Sequence, residues 1–337
     1  MKIALSKLFV LFLAGYLAVG AYASKPALKF RPDGSFKIIQ FTDVHYSKHI
    51  DPRTAALMNK ILDSHKPDFV VITGDCIFTN RCATLDELKR AIDTLAQPME
   101  AKGIPWAVTL GNHDHDNLAG LGITEDEALG LYMKYQHNAN IKSPSGVFGS
   151  GNAVLLINGS KSRKPAFAIW LIDSNADAHL DINGQKVDGY DWIHLDQVEW
   201  YRETSQALKK RYSGKIPSLM FFHIPLVEFG QAAGAGGVGE MNEKTSPSFI
   251  NCGLFAAVLE CGDVKGIFFG HDHNNTFVGD LYGIKLGYSG SIGYDAYGLE
   301  GKGENEWNRL RGARLFIISE SSPSAFKTSY LTTADLD

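Results

Sequence analysis

Cysteine is scarce in this chain: there are four among 337 residues. Their spacing does not match a zinc–thiolate site. Cys252 and Cys261 fall in segment 249–262, which is predicted to be one helix, and nine residues along a helix span about 13 Å, too far for a disulfide whose Cα atoms lie about 5.5 Å apart. Cys76 and Cys82 either pair or, like the other two, stay free thiols, so the sequence leaves the pairing open.

An excess of positive charge is also absent. The formal net charge is −4 in a composition that is 45% hydrophobic and 21% charged, which is typical of a globular protein. Removing Lys2 and Lys7 with the N-terminal segment takes this charge from −4 to −6. A surface of that sign argues against binding a nucleic-acid duplex.

Long apolar runs are lacking after residue 23. Before that point, Lys2 and Lys7 precede an apolar run that ends in Ala21-Tyr22-Ala23, a small-x-small cleavage signal. The run is shorter than the ~20 residues that span a bilayer. We predict that residues 1–23 are a signal peptide, that the protein is secreted or periplasmic, and that no membrane anchor remains after cleavage.

Five short runs rich in β-branched and aromatic residues each end at side chains that can bind metal ions. Without polar alternation, such runs are typical of strands buried on both faces. FKIIQF is followed by Asp43 and His45, DFVVIT by Asp75, PWAVTL by Asn112, His113 and Asp114, PSLMFF by His223, and VKGIFF by His271 and His273.

Helical patterns separate several of these strands. Segments 51–66, 84–103 and 124–136 begin with capping residues and carry helical periodicity. Alternating strands and helices predict a mostly parallel sheet, with ligands beyond the carboxyl ends of its strands, where all five clusters fall. The segments 152–159 and 165–174 predict a hairpin of a second sheet. We expect one α/β domain over residues 30–337, with two packed mixed sheets flanked by helices in four layers.

The clusters supply four or five imidazoles, two or three carboxylates and one asparagine amide, which is at least seven possible ligands. This set suits Zn, Fe or Mn and is too rich in histidine for a typical Ca or Mg site. Seven ligands are too many for one tetrahedral ion but suit two ions that share a carboxylate. Paired ions acidify a bridging water and clamp the oxygens during phosphoryl transfer.

The blocks DVH, GD, GNHD, FFH and GHDH, in this order, resemble the signature of the calcineurin-like metallophosphoesterases. The stretches FFHIPLVEF, GLFAAVLECGDVKGIFFGHDHNN and GYDAYG are similar to single-domain relatives of the purple acid phosphatases. The resemblance covers about residues 35 to 320. It implies one ion bound by Asp43, His45, Asp75 and His273, and a second bound by Asp75, Asn112, His223 and His271.

The same resemblance implies catalytic roles for the GNHD block. His113 would protonate the leaving oxygen or stabilise charge in the transition state, and Asp114 would orient the ring of His113. His115 and Asp116 match no role in the family. Phe78 stands where purple acid phosphatases carry a tyrosine ligand, so the colour of those enzymes should be absent here.

The resemblance favours a phosphomonoesterase that acts on a small phosphate ester, with a metal-bridging hydroxide as nucleophile. A phosphodiesterase or nucleotide hydrolase is the close alternative, and a catalytically silent metal- or phosphate-binding protein is the alternative of another class. Segment 230–243 is predicted to be a loop near the site. The remaining polar residues considered, Asp173, Asn175, Arg309, Arg311 and Arg314, are equally well explained as turn residues.

Overall fold

The computed structural model describes residues 25–178, 180–300 and 303–336. The predicted signal peptide, residues 1–23, lies outside the described residues. Within those three ranges, no helix has both the length and the apolar character needed to cross a membrane.

The elements are numbered in chain order. The strands are β1 Leu28–Lys29, β2 Ser35–Phe41, β3 Phe69–Thr73, β4 Trp106–Thr109, β5 Ala153–Asn158, β6 Pro165–Leu171, β7 Asp181–Ile182, β8 Gln185–Lys186, β9 Ser218–Phe221, β10 Gly237–Val238, β11 Val264–Phe269, β12 Val278–Leu281, β13 Ile284–Tyr288, β14 Gly312–Ser319 and β15 Lys327–Thr332. The helices are α1 Pro52–His65, α2 Leu85–Glu100, α3 Asn112–His115, α4 Glu125–Tyr132, α5 Leu195–Tyr212, α6 Phe229–Gly234, α7 Leu254–Cys261 and α8 Glu304–Trp307; short 3₁₀ turns cover Thr79–Arg81 and Thr333–Asp335.

A five-stranded sheet has the order β15-β14-β2-β3-β4. The neighbours β2, β3 and β4 run parallel, and β14 pairs antiparallel with β2. The crossovers are α1 and α2, which begin as predicted: the side chain of Asp51 accepts from the backbone N–H of Arg53, and that of Thr84 accepts from Glu87. These caps satisfy donors that the first turn of a helix leaves free.

The second sheet has eight strands in the order β1-β5-β6-β9-β11-β13-β12-β10. Its centre, β6-β9-β11-β13, is parallel. The predicted hairpin is confirmed, since β5 and β6 pair antiparallel with Val154 opposite Trp170.

Apolar side chains fill the space between the two sheets. The ring of Phe316 on β14 lies 5.5 Å from that of Phe221 on β9 and 4.6 Å from that of Phe268 on β11. The outer face of the smaller sheet packs on α1 and α2, and that of the larger sheet packs on α5, α6 and α7. This arrangement is the predicted α-β-β-α sandwich, and it brings the carboxyl ends of the parallel strands of both sheets together.

One helix is shorter than expected. Segment 249–262 was predicted to be helical throughout, but α7 begins at Leu254, because Gly253 adopts a left-handed conformation (φ 76°) in which a helix cannot continue. Cys252 therefore precedes the helix, and the 13 Å separation predicted along it does not apply. Cys252, Cys261, Cys76 and Cys82 are free thiols in this structure.

Candidate metal centre

The loops that follow five strands converge on one site. The seven metal ligands that were predicted from the sequence lie in the loops after β2 (Asp43, His45), β3 (Asp75), β4 (Asn112), β9 (His223) and β11 (His271, His273). All seven are buried. The structure thus brings together side chains that are up to 230 positions apart in the sequence, as the shared strand edge predicted.

The first ligand group consists of Asp43, His45, Asp75 and His273, whose donor atoms lie within 4.8 Å of one another. Nε2 of His45 is 3.1 Å from Nε2 of His273 and 3.4 Å from Oδ2 of Asp75. Oδ1 of Asp43 lies 3.4 Å from Nε2 of His273. The four donors surround one small volume.

The second group consists of Asp75, His223 and His271. Nε2 of His223 is 3.4 Å from Oδ1 of Asp75, 3.3 Å from Nδ1 of His271 and 3.2 Å from Oδ1 of Asn112. Asn112 therefore joins this group. Asp75 belongs to both groups and offers a different oxygen to each, so its carboxylate can bridge the two groups.

The backbone is strained at these ligands. Asp43, His45, Asp75 and His271 all have positive φ angles, of 52°, 54°, 47° and 77°. Non-glycine residues rarely adopt this conformation, which costs about 1–3 kcal/mol each and is concentrated at functional sites. The loops turn sharply so that each side chain points back into the cluster.

Two glycines allow the loops to approach one another. Gly74 has φ 80°, and a Cβ atom there would lie 2.6 Å from Cγ of His223. At Gly111 a Cβ would lie 2.8 Å from Cδ2 of the same ring and would also collide with Asp75. Any larger residue at either position would displace a ligand.

Hydrogen bonds outside the cluster orient the ligands. Nδ1 of His223 lies 2.8 Å from the carbonyl oxygen of Thr73, and Nδ1 of His273 lies 3.2 Å from that of Tyr297. Because Nδ1 of each ring donates outward, the Nε2 lone pair is left for the cluster. Oδ2 of Asp43 accepts from the hydroxyl of Thr42 and the backbone of His271, whereas its buried Oδ1 has no hydrogen-bond partner.

The electrostatics of the cluster fit metal ions. Burial favours the neutral form of Asp43, but the imidazoles of His273 and His45 hold its pKa well below the ordinary value. Burial lowers the pKa of His223, yet Asp75 raises it to about 10, while burial and His223 lower the pKa of His271 to about 3. Buried carboxylates, facing imidazole nitrogens and an Oδ1 without a hydrogen-bond partner form a donor set that cations would satisfy. The nitrogen and oxygen donors suit Zn, Fe or Mn.

His113 lies beside the first ligand group. Its ring centre is 5.3 Å from that of His45, and its side chain is 33% exposed, so solutes can reach it. Nδ1 of His113 lies 2.7 Å from Oδ2 of Asp116. Burial lowers the pKa of His113, but the hydrogen bond to Asp116 together with the negative charges of Asp75 and Asp116 raises it above the ordinary value.

The predicted role of Asp114 is wrong: Asp116, and not Asp114, orients the ring of His113. Asp114 is buried and accepts from the backbone N–H groups of Gly111, Ile77 and Cys76 at 2.9, 2.8 and 3.2 Å. Burial and the charge of Asp75 raise its pKa to about 6. Asp114 thus ties the loop after β3 to the loop after β4.

Aromatic rings surround the centre, a feature that the sequence did not predict. The ring of Phe78 lies 4.3 Å from that of His113, and Tyr297 stacks on His273 at 3.8 Å. Tyr190 stands edge-on to His271 at 4.3 Å. As expected, Phe78 places no oxygen donor at its position.

The predicted loop 230–243 does lie near the centre, although α6 and β10 occupy part of it. Its last residue, Glu243, accepts from the hydroxyl of Tyr297 at 2.8 Å and so connects to His273. Earlier in the loop, Glu240 pairs with Arg309 at 2.7 Å.

The other polar residues considered are structural. Asp173 is buried and accepts from the backbone N–H groups of Ser150 and Asn175 at 2.6 and 2.9 Å, as in a turn. Arg311 and Arg314 are buried, and each donates to a backbone carbonyl. None of these side chains belongs to either ligand group.

Residues 36–275 match the family model described as calcineurin-like phosphoesterase. The chain belongs to this family. It is thereby assigned to the metal-dependent phosphoesterases, and the resemblance found in the sequence is confirmed.

This calcineurin-like phosphoesterase has relatives of similar length in Arabidopsis thaliana. It is 31% identical to the protein named probable inactive purple acid phosphatase 29, over 89% of this chain and 81% of the relative. It is 33% identical to probable inactive purple acid phosphatase 14, over 81% of this chain and 74% of the relative. Phosphatase DCR2 of Saccharomyces cerevisiae is 28% identical over 73% of this chain and 45% of its own.

Among solved structures, GAP50, described as the anchor in the inner membrane complex of Plasmodium, superposes with a TM-score of 0.51. It is 14% identical, over 88% of this chain and 89% of that one. A likeness at this identity supports the fold alone.

Proposed function

We propose that this protein hydrolyses phosphate monoesters at the centre built around Asp75. The observation that carries the proposal is the combination of one carboxylate shared by two histidine-rich ligand groups with an accessible imidazole beside them, that of His113. A purely structural metal site has no use for that imidazole.

Two ions of Zn, Fe or Mn would be held by the two ligand groups. When bound, such ions acidify a water molecule and neutralise charge on the phosphoryl oxygens. The chain's own contribution is to fix the donors: Asp75 faces both positions, and the carbonyls of Thr73 and Tyr297 fix the rings of His223 and His273.

His113 acts on the leaving group. Because Nδ1 faces Asp116, Nε2 is the atom left to give a proton to the departing ester oxygen. The carboxylate of Asp116 stabilises the imidazolium that carries this proton, and its position fixes the plane of the ring. After the proton transfer, His113 is neutral and takes up a proton from solvent for the next turnover.

The charge of the ligand set supports an anionic phosphate ester as substrate. Two divalent ions against the carboxylates of Asp43 and Asp75 and one bound hydroxide would leave one net positive charge, which attracts a phosphate ester. A small phosphate ester is therefore the proposed partner. We also propose export through the N-terminal segment 1–23.

The second candidate is a catalytically silent metal- or phosphate-binding protein. It is favoured by the names of the two Arabidopsis relatives, both of which contain the words probable inactive. Against it stand the intact ligand groups and the accessible pair of His113 and Asp116.

The experiment compares 4-nitrophenyl phosphate, phenyl phosphate and bis(4-nitrophenyl) phosphate with the chain reconstituted in turn with Mn, Zn and Fe. We expect metal-dependent turnover of the monoesters above that of the diester. Elemental analysis should show that His113→Gln keeps both ions, while its kcat/KM falls by about 10²–10⁴-fold. The loss should be larger for phenyl phosphate, because its phenolate leaving group is more basic than nitrophenolate and depends more on protonation.

The matched control is His49→Gln, because His49 is an exposed histidine. Turnover of the diester above the monoesters would overturn the substrate class. Two bound ions with no turnover of any ester would favour the silent protein, and full activity of His113→Gln would remove His113 from the mechanism.

A further inference from the structure

An arginine stands at the edge of the metal centre without a carboxylate partner. The guanidinium carbon of Arg81 lies 4.2 Å from the centre of the Phe78 ring, and the side chain is exposed. Among the described residues, no carboxylate forms an ion pair with it.

The position of Arg81 is fixed relative to His113. The ring centre of Phe78 is 4.3 Å from that of His113 and 4.2 Å from the guanidinium carbon of Arg81. The 3₁₀ turn that carries Arg81 is closed by its own N–H, which donates to the carbonyl of Phe78 at 2.9 Å. The hydroxyl of Thr79 in this turn donates to the carbonyl of His113 at 2.9 Å.

Stacking leaves the guanidinium ready to bind an anion. A guanidinium that lies over an aromatic ring contacts it with its flat face and keeps its N–H edge free for two parallel hydrogen bonds to a carboxylate or phosphate. The carboxylate of Asp116 is engaged with His113. Since the side chain of Arg81 is exposed and no carboxylate among the described residues pairs with it, its donors are available to an anionic solute.

We propose that Arg81 determines substrate specificity by binding an anionic group on the leaving alcohol, so that the preferred substrates are phosphate monoesters that carry a second negative charge. The inference rests on the proposed function, in which His113 protonates the leaving oxygen. The rest of the leaving group then extends past His113 along Phe78, toward the guanidinium.

The test uses two substrates that differ in one charge: 4-carboxyphenyl phosphate and its neutral amide, 4-carbamoylphenyl phosphate. The ratio of their kcat/KM values is measured for the wild type, for Arg81→Met, which keeps an unbranched apolar side chain over Phe78, and for Arg81→Lys. The control is Arg90→Met, the same change at another exposed arginine. Using a ratio cancels any change in metal content or in the amount of folded protein.

We expect the ratio to fall about three- to tenfold in Arg81→Met, the size of one charge-assisted contact at a partly exposed site. Arg81→Lys should recover part of the ratio, and Arg90→Met should leave it unchanged. In the wild type, raising the salt concentration from about 0.05 to about 0.5 M should lower the ratio as well.

A second measurement does not need turnover. The dissociation constants of (4-carboxybenzyl)phosphonate and (4-carbamoylbenzyl)phosphonate, measured by calorimetry, should show the same preference for the carboxylate and the same loss in Arg81→Met. An equal preference in wild type and Arg81→Met would overturn the assignment of Arg81, as would an equal loss in Arg90→Met. If neither ester is turned over while the phosphonate preference depends on Arg81, the proposed hydrolysis fails and the anion site stands.

Discussion

The substitution Asp116→Asn tests the geometry of the proposed proton donor most directly. Asparagine keeps the shape of the side chain and still offers an oxygen to Nδ1 of His113, but it removes the negative charge. We expect kcat/KM for phenyl phosphate to fall while both ions and the fold are retained, because Asp116 touches neither ligand group.

The size of the effect follows from exposure. A hydrogen bond to a charged group contributes about 1.5–3 kcal/mol when it is buried. The side chains of His113 and Asp116 are 33% and 21% exposed, so solvent screening reduces this to about 1–2 kcal/mol. The expected loss is therefore about 5- to 30-fold in kcat/KM.

The pH dependence has a definite sign. The hydrogen bond to Asp116 raises the pKa of His113 against the opposing effect of burial. The proton donor is active in its protonated form, so the activity of the wild type extends to higher pH. In Asp116→Asn the basic limb of the kcat/KM profile should move to lower pH.

Asp114→Asn provides the contrast. Oδ2 of Asp114 accepts from the backbone N–H groups of both Gly111 and Cys76. Asparagine keeps these two bonds only by turning its amide nitrogen toward the N–H of Ile77, so at least one buried donor loses its partner, which costs about 1–3 kcal/mol of the free energy of unfolding. We expect lower thermal stability and weaker metal retention from this variant. The role of Asp116 would be refuted if Asp116→Asn, with the same metal content as the wild type, had an unchanged rate and pH profile. Asp114 would then again be the candidate for the carboxylate that orients His113.

Three further predictions concern other parts of the molecule. Because Phe78 offers no phenolate, the iron-loaded protein should be colourless, and a strong visible absorption band would contradict this; Phe78→Tyr should introduce one. Although burial lowers the pKa of His115, its hydrogen bond to Glu125 raises it to about 9, so this pair stabilises the fold below the unfolded pKa of about 6.5 and the stabilisation disappears as the pH rises through about 9. Because the side chain of Glu125 is 45% exposed, Glu125→Gln should lower the free energy of unfolding by only about 1 kcal/mol at pH 6 and by almost nothing at pH 10. Urea unfolding at the two pH values measures this difference. An equal loss at both would contradict the pairing. Phe316→Ala should cost about 3–5 kcal/mol in the same assay, because it leaves a cavity between the sheets, and a loss below 1 kcal/mol would mean that the space refills.

The fold and the ligand cluster were predictable because each depends on a strong local signal. A run such as FVVI, with no polar residue to face water, suits only a strand covered on both sides, and the strand Phe69–Thr73 is buried along its whole length. Parallel strands then place their carboxyl ends at one edge, which is why Asp75 and His223 could be expected to meet although they lie far apart in the chain.

The partner of His113 was missed because it depends on the conformation of a single turn. Asn112–His115 is helical, and residues three apart on a helix share one face, which places Asp116 next to His113 and turns Asp114 toward the loop of Cys76. A helical conformation of this turn, had it been predicted, would have favoured Asp116 over Asp114 as the partner of His113. No such local signal connects His273 with Tyr297, whose contact depends on the packing of two distant loops.

The strain at the ligands requires that the surrounding loops be anchored. Asp43, His45, Asp75 and His271 hold left-handed backbone conformations that an isolated loop would relax. The structure prevents this relaxation by anchoring the loops: Asp114 accepts three backbone N–H groups, and Gly74 lets His223 pack directly against the chain. Because these contacts are made by protein groups alone, they oppose relaxation of the strained loops whether or not metal is bound. Asp114 also ties the loop that carries His113 to the loop of Cys76, so the same contacts position the proposed proton donor beside the ligands.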